Sequence, residues 1–254
     1  GSCILSMMSE IEKRKEEHLA INLNKDVRSG LTNGFERWSF RHQALPELNL
    51  EEISTATIFL GKSLSMPLLI SSMTGGTDMG DQINLNLAEA ANECGIAMAV
   101  GSQRAVVENP TKAMINLRQI APSIPLYANL GAIQLNYGFG IDECRRAVDL
   151  IEADGLILHL NPLQEALQPE GQTQFAGLAK KIEQICRQIE VPVIVKEVGW
   201  GIDVATAGRL LSLGVAAVDV AGAGGTSWSQ VEKYRRPDES GYRIAEMFID
   251  WGIP

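Results

Sequence analysis

Six short polar segments, each following directly on an apolar run, hold most of the side chains in this sequence that could do chemistry. They are Ser71-Ser72-Met73-Thr74-Gly75-Gly76, Gly101-Ser102-Gln103-Arg104, Asn129-Leu130-Gly131-Ala132, His159 through Glu165, Lys196-Glu197-Val198-Gly199 and Ala221 through Thr226. A lysine abutting Val193-Ile194-Val195 serves an anion, an electron-rich cofactor or a carboxylate partner; the plainer alternative is a side chain that snorkels to the rim. His159 and Asn161, two residues apart on an extended chain, point the same way with Ile157 below them. Polar groups in such positions cost desolvation free energy unless something binds them. A satisfied core histidine explains one such position, but it explains six polar ends in succession poorly. Glu165 has the chemistry of a Mg²⁺ ligand, because that ion takes one or two carboxylates beside substrate phosphates; taken alone it reads as an ordinary exposed glutamate. Gly222 through Thr226 could turn several backbone N–H groups toward an oxyanion, or be only a flexible loop.

The elements that must position these residues alternate. Apolar runs at Leu68–Ile70, Ala97–Val100, Leu126–Leu130, Leu156–Leu160, Val193–Val195 and Ala216–Val220 have the length of strands buried on both faces. Amphipathic stretches separate them at 81–94, 111–120, 142–153, 172–189 and 203–213, with Asp81 as an expected cap of the first. The spacing of roughly 30 residues is that of a βα unit. A parallel sheet with right-handed crossovers follows, either a TIM (β/α)8 barrel or an open doubly wound sheet. No G-x-G-x-x-G follows the first strand, and the polar ends are spread over six strands instead of one crevice, which favours the barrel. Residues 1–8 read as a tag or leader, 9–66 as an N-terminal helix (Glu10–Leu23, a surface helix with a projecting basic tip) plus a floor segment (Glu51–Leu64, a short hairpin or strand), and 67–254 as barrel units. Six strands are counted where a closed barrel needs eight, so the expectation is an incomplete barrel, truncated after about six βα units with strands 7 and 8 absent.

Composition narrows the class. The chain has 254 residues, 45% hydrophobic, with a formal net charge of −9. That balance disfavours nucleic acid and a polybasic membrane anchor as partners, and an anionic substrate would need cations gathered in one pocket. No apolar run is long enough to span a bilayer. Cys3, Cys94, Cys144 and Cys186 form no C-x-x-C pair and read as reduced thiols of a soluble, cytoplasmic protein.

Taken in order, Arg14-Lys15-Glu16-Glu17-His18-Leu19, His42 through Glu47, Met73-Thr74-Gly75-Gly76, Gly101 through Arg104, His159 through Glu165 and Asp219 through Trp228 resemble signature segments of type 2, FMN-dependent isopentenyl diphosphate isomerases. The likeness covers about residues 10–254. It implies interconversion of isopentenyl and dimethylallyl diphosphate with reduced FMN, Mg²⁺ and NADPH as reductant. Carried over by motif, Ser71, Ser72, Met73, Thr74, Ser102, Asn129, Lys196 and Thr226 contact FMN. Arg14, Lys15, Ser102, Gln103, Arg104, His159, Asn161 and Gln164 hold the substrate, with Gln164 and His159 nearest the chemistry and Glu165 on Mg²⁺. The resemblance also implies a homo-oligomer, a tetramer or larger. The family's last two strands carry loops that grip the FMN phosphate, so a truncated form is expected to bind that phosphate poorly. Two other readings compete: an FMN-dependent oxidoreductase on a related barrel, disfavoured because no histidine follows His159, and a non-catalytic piece completed by another chain.

Overall fold

Parity along the strands sorts the side chains of this protein into two cores. The computed structural model describes residues 10–109 and 114–254. Helix α1 (Glu10–Asn24) comes first, then a hairpin of β1 (Thr57–Phe59) and β2 (Lys62–Leu64). The barrel strands are β3 (Leu69–Ile70), β4 (Ala97–Ala99), β5 (Leu126–Gly131), β6 (Gly155–His159), β7 (Val193–Lys196) and β8 (Ala217–Asp219). They pair in parallel and in chain order as one six-stranded sheet. Between them run α2 (Asp78–Cys94), α3 (Arg104–Glu108), α4 (Leu117–Ile120), α5 (Ile141–Asp149), α6 (Pro162–Leu167), α7 (Leu178–Gln188) and α8 (Val204–Ser212); α9 (Trp228–Lys233) and α10 (Glu239–Glu246) follow β8.

One parity, with Met98, Ala128, Leu130, Leu156, Leu158, Val193 and Val195, packs outward against helix residues such as Ala88, Ala147, Ile182 and Leu210. The other, with Ala97, Ala99, Tyr127, Ile157 and Ile194, packs inward with Leu64 and Phe59 of the hairpin, which stoppers the floor. Each fully buried isoleucine there contributes about 2–3 kcal/mol. Asp154 pins the same hairpin, accepting from Lys62 at 2.7 Å and from Arg118 at 2.7 Å. The sheet curls until its two edge strands nearly meet at the top, where Ser71 Oγ donates to Asp219 Oδ2 at 2.9 Å. This is the curled parallel sheet of a (β/α) barrel rather than an open doubly wound one.

Several boundaries move for local reasons. Thr77, not Asp81, caps α2, accepting from Gly80 N; Asp81 instead accepts from Gly76 N. The stretch expected to be helical over 172–189 starts only at Leu178, because Gly177 takes a left-handed φ of 75°. Of the stretch 111–120, residues 111–113 lie outside the described set and helix spans Leu117–Ile120, capped by Asn116. The leader at residues 1–8, with Cys3, also lies outside it. Cys94, Cys144 and Cys186 are free thiols.

Candidate active site

The inward parity that is apolar at the floor turns polar at the top. Gly131, His159, Lys196 and Asp219 form one rung across β5 to β8, each paired with the next. Asn129 lies one inward position below Gly131. His159 and Lys196 therefore open onto the same mouth, as the alternation of buried strands requires. His159 Nδ1 lies 2.7 Å from Asn129 Oδ1. Lys196 is buried; its ammonium donates to Glu197 O at 2.8 Å and lies 3.6 Å from Asp219. A side chain on Gly131 would fall 3.0 Å from His159 Nε2 and closer still to Gln134, so the rung needs glycine there.

Helix α1 lies over this mouth instead of projecting from the surface. Lys15 Nζ donates to Gly75 O at 2.5 Å and to Ser102 O at 3.0 Å, joining the loops after β3 and β4. Those loops touch each other through Gly101 N and Thr74 O, a contact that a side chain on Gly101 would obstruct. His18 Nε2 reaches Glu232 of α9 at 2.9 Å and stacks edge-on against Trp228. Burial, then the charges of Lys196, Arg14 and Lys15, hold His159 down to about 3, so the imidazole is neutral at ordinary pH. Three cations and a histidine thus share one mouth in a chain of net charge −9.

A second polar chain runs along the rim. Asn161 Nδ2 donates to Gln164 Oε1 at 3.1 Å and to Glu165 Oε1 at 3.0 Å. Gln164 Nε2 donates to Glu232 at 3.1 Å, and Arg235 to the other oxygen of Glu232 at 2.7 Å. Burial would raise the Glu232 carboxyl, but the His18 hydrogen bond and the Arg235 charge outweigh it and hold the group below the usual carboxylate range. Arg235 also pairs with Glu17 and Glu170, and Glu170 lies 3.8 Å from Arg14. Glu165 is buried, unlike the ordinary exposed glutamate of the plainer alternative, and its Oε2 accepts from Gln172 N at 2.6 Å.

The structure thus gathers Arg14, Lys15, Ser102, Asn129, His159, Lys196 and Ser71 at the mouth, with Asn161, Gln164, Glu165 and Arg104 on its rim. Gln103 departs from its expected substrate role. Its side chain is buried, accepting from Asn129 N at 2.9 Å and donating to Ala147 O at 2.9 Å, so it braces β5 against α5. The glycine-rich run after β8 is tied to the rest of the chain at both ends. Ala223 N donates to Ile253 O and Ser227 N to Val27 O, while Thr226 bridges Arg28. Thr226 is exposed and its carbonyl lies against Gly199, beside the β7 loop. Met73 is exposed, and Ser72 Oγ is buried with no partner. His18 and Asp219 lie inside the segments that carry the family resemblance without being assigned a role there. Glu232 and Arg235 lie outside every such segment, and their i,i+3 spacing is the one local signal they give.

Similarity to known proteins then decides the family. The chain is 53% identical to an isopentenyl-diphosphate delta-isomerase of a Synechocystis strain over 97% of its own length and 71% of that protein's. It is 52% identical to the enzyme of the same name from Rickettsia felis, over 95% and 70% respectively. This chain belongs to the isopentenyl-diphosphate delta-isomerase family. Residues 24–116 of this isomerase-family member also match the model of FMN-dependent dehydrogenases. Among solved structures, two (S)-mandelate dehydrogenase variants superpose with TM-scores of 0.54 and 0.56 at 16% identity, each covering 88% of this chain and 75% of the other, a likeness of fold. No helix among the described residues is long and apolar enough to cross a membrane.

Proposed function

We propose that the chain interconverts isopentenyl and dimethylallyl diphosphate by a 1,3-proton shift, using reduced FMN and Mg²⁺, with NADPH reducing the flavin. The observation that carries this reading is the convergence of Arg14, Lys15, His159 and Lys196 on one mouth of an acidic protein. The charges of a diphosphate require such a concentration of cations. The residues fit a flavin too. The hydroxyls of Ser71 and Ser72, the latter buried and unpartnered, and the Lys196 ammonium supply donors for its ring oxygens and nitrogens. Thr74, Ser102, Asn129, Met73 and Thr226 would complete its surroundings.

Reduced FMN, when bound, supplies the acid and base for moving a proton across an unactivated alkene without net redox change. The protein's part is orientation and electrostatics. Arg14, Lys15, Arg104 and His159 hold the diphosphate, and that remote binding energy fixes the alkene. Gln164, clamped between Asn161 and Glu232, places the reacting carbon. Among the described residues no three His, Cys, Asp or Glu side chains form a metal cage. Glu165 would hold Mg²⁺ as a single carboxylate, with substrate phosphate and water as the other ligands. A homo-oligomer, a tetramer or larger, belongs to this proposal on the strength of the family resemblance, and a cytoplasmic location on the strength of the unpaired cysteines.

The test is to incubate the chain with isopentenyl diphosphate, FMN, NADPH and MgCl₂ in D₂O and follow the product by NMR. Deuterated dimethylallyl diphosphate, with nucleotide consumed only to the amount of flavin, is expected. Nucleotide turnover in excess of flavin, or no product, overturns the reading.

A further inference from the structure

Gln172 lies on the loop between α6 and α7, and it touches two of the proposed substrate-handling residues. Its backbone N–H donates to Glu165 Oε2 at 2.6 Å. Its side-chain Oε1 accepts from Arg104 Nη1 at 3.3 Å and from Gln134 Nε2 at 2.9 Å. Three elements therefore meet at one residue: α6 through Glu165, the 3-10 turn after β5 through Gln134, and the start of α3 through Arg104. The loop can return to α6 because residue 171 is glycine; a Cβ there would fall 1.6 Å from Glu165 O.

We propose that Gln172 is a positioning residue for diphosphate recognition, an inference that rests on the function proposed above. Arg104 has a long side chain with many rotamers, and immobilising such a chain on binding costs free energy. Glu108 takes its Nε at 2.8 Å and Gln172 takes Nη1, so the guanidinium is held at two corners before any ligand arrives. The same loop residue fixes Glu165 through its main chain, so the anion-binding arginine and the metal-binding carboxylate are set relative to each other. Substituting Gln172 frees Arg104 while leaving the N–H to Glu165 intact, which separates the two contacts.

The test is calorimetric titration of the full chain with inorganic pyrophosphate in the presence of MgCl₂, without flavin. Four proteins are compared: the native chain, Gln172→Met, Arg104→Ala and the double variant. Gln172→Met is expected to weaken pyrophosphate about tenfold, as loss of a hydrogen bond to a charged group does. Made on top of Arg104→Ala, the same substitution is expected to weaken it less than about twofold, because its only route to the ligand is through Arg104. Gln172→Asn, one methylene too short to reach, carries the same expectation should Gln172→Met fail to fold. A coupling below about fivefold, with Arg104→Ala still weakening pyrophosphate, overturns the positioning role alone. No pyrophosphate binding by the native chain, or none lost in Arg104→Ala, overturns the diphosphate reading and this inference with it.

Discussion

The ring of His159 and the amide of Asn129 meet at 2.7 Å across the neighbouring strands β5 and β6. With the amide carbonyl toward the ring, Nδ1 carries the proton and Nε2 presents a lone pair. The imidazole is neutral in the free protein because burial and three nearby cations oppose its charging. A diphosphate in the mouth reverses that balance, since its negative charge favours imidazolium. Binding pyrophosphate is therefore expected to take up a proton at His159, and affinity should rise as pH falls from about 7 toward 5. Calorimetry in buffers of different ionisation enthalpy measures the proton count, which should be lower in His159→Gln than in the native chain, since protons exchanged by pyrophosphate itself are common to both.

Folding stability carries the opposite signature of the same group. Its folded value of about 3 lies below the ordinary value of 6.5, so the unfolded chain binds the extra proton between these limits. The contribution is complete above about pH 6.5 and is lost as pH falls toward about 3. Urea midpoints of the native chain minus those of His159→Gln should decline over that window. A flat difference would remove the neutral, buried histidine from the account.

Glu232 joins α1 to α9 through His18 and Arg235 with its carboxylate wholly buried. Glu232→Gln is expected to cost about 3 kcal/mol, the low end for breaking one side of a buried pair, because Arg235 keeps Glu17 and Glu170. Trypsin should then cut α1 at Lys13, Arg14 or Lys15 faster than in the native chain. Unchanged cleavage would mean that α1 is held by other contacts.

At the floor, Asp154 accepts from Lys62, Leu126 N and Arg118. Burial would raise its carboxyl, but the Lys62, Leu126 and Arg118 contacts outweigh it and the group is held below the usual range. Its stabilisation is present above the ordinary carboxylate value and is lost as pH falls through the depressed one. The stability gap between native chain and Asp154→Asn should close only in acid, read as urea midpoints that converge once the pH falls below the ordinary carboxylate range.

Two glycines should respond oppositely to alanine. Gly171→Ala places a methyl inside the Glu165 carbonyl and is expected to destabilise by about 2 kcal/mol or more. Gly208, exposed in the middle of α8 with open space beside it, should gain about 0.5–1 kcal/mol as alanine. Chemical denaturation of both variants checks the pair.

Sequence alone pointed to the six strands and their parallel pairing, because runs such as Ala97–Val100 and Val193–Val195 are apolar on both faces and a parallel sheet covered by helices buries both; the curl that pairs them in chain order is read from the structure. Parity put His159 on the same face as Ile157, since side chains alternate along a strand; for Lys196 the structure decided between an inward ammonium and one that snorkels to the rim. The catalytic and binding roles came from ordered motifs, and the family they pointed to is the one that the 53% identity shows. What only tertiary structure decided were contacts between residues far apart in the chain: Lys15 on Gly75 and Ser102, His18 on Glu232, Ser71 on Asp219. Gln103 belongs with them, because its neighbours Ser102 and Arg104 face the site while its own side chain turns into the packing between β5 and α5. No local pattern encodes such contacts. The charge of a side chain is written in the sequence, but the partner that makes its burial tolerable is chosen by how the strands curl.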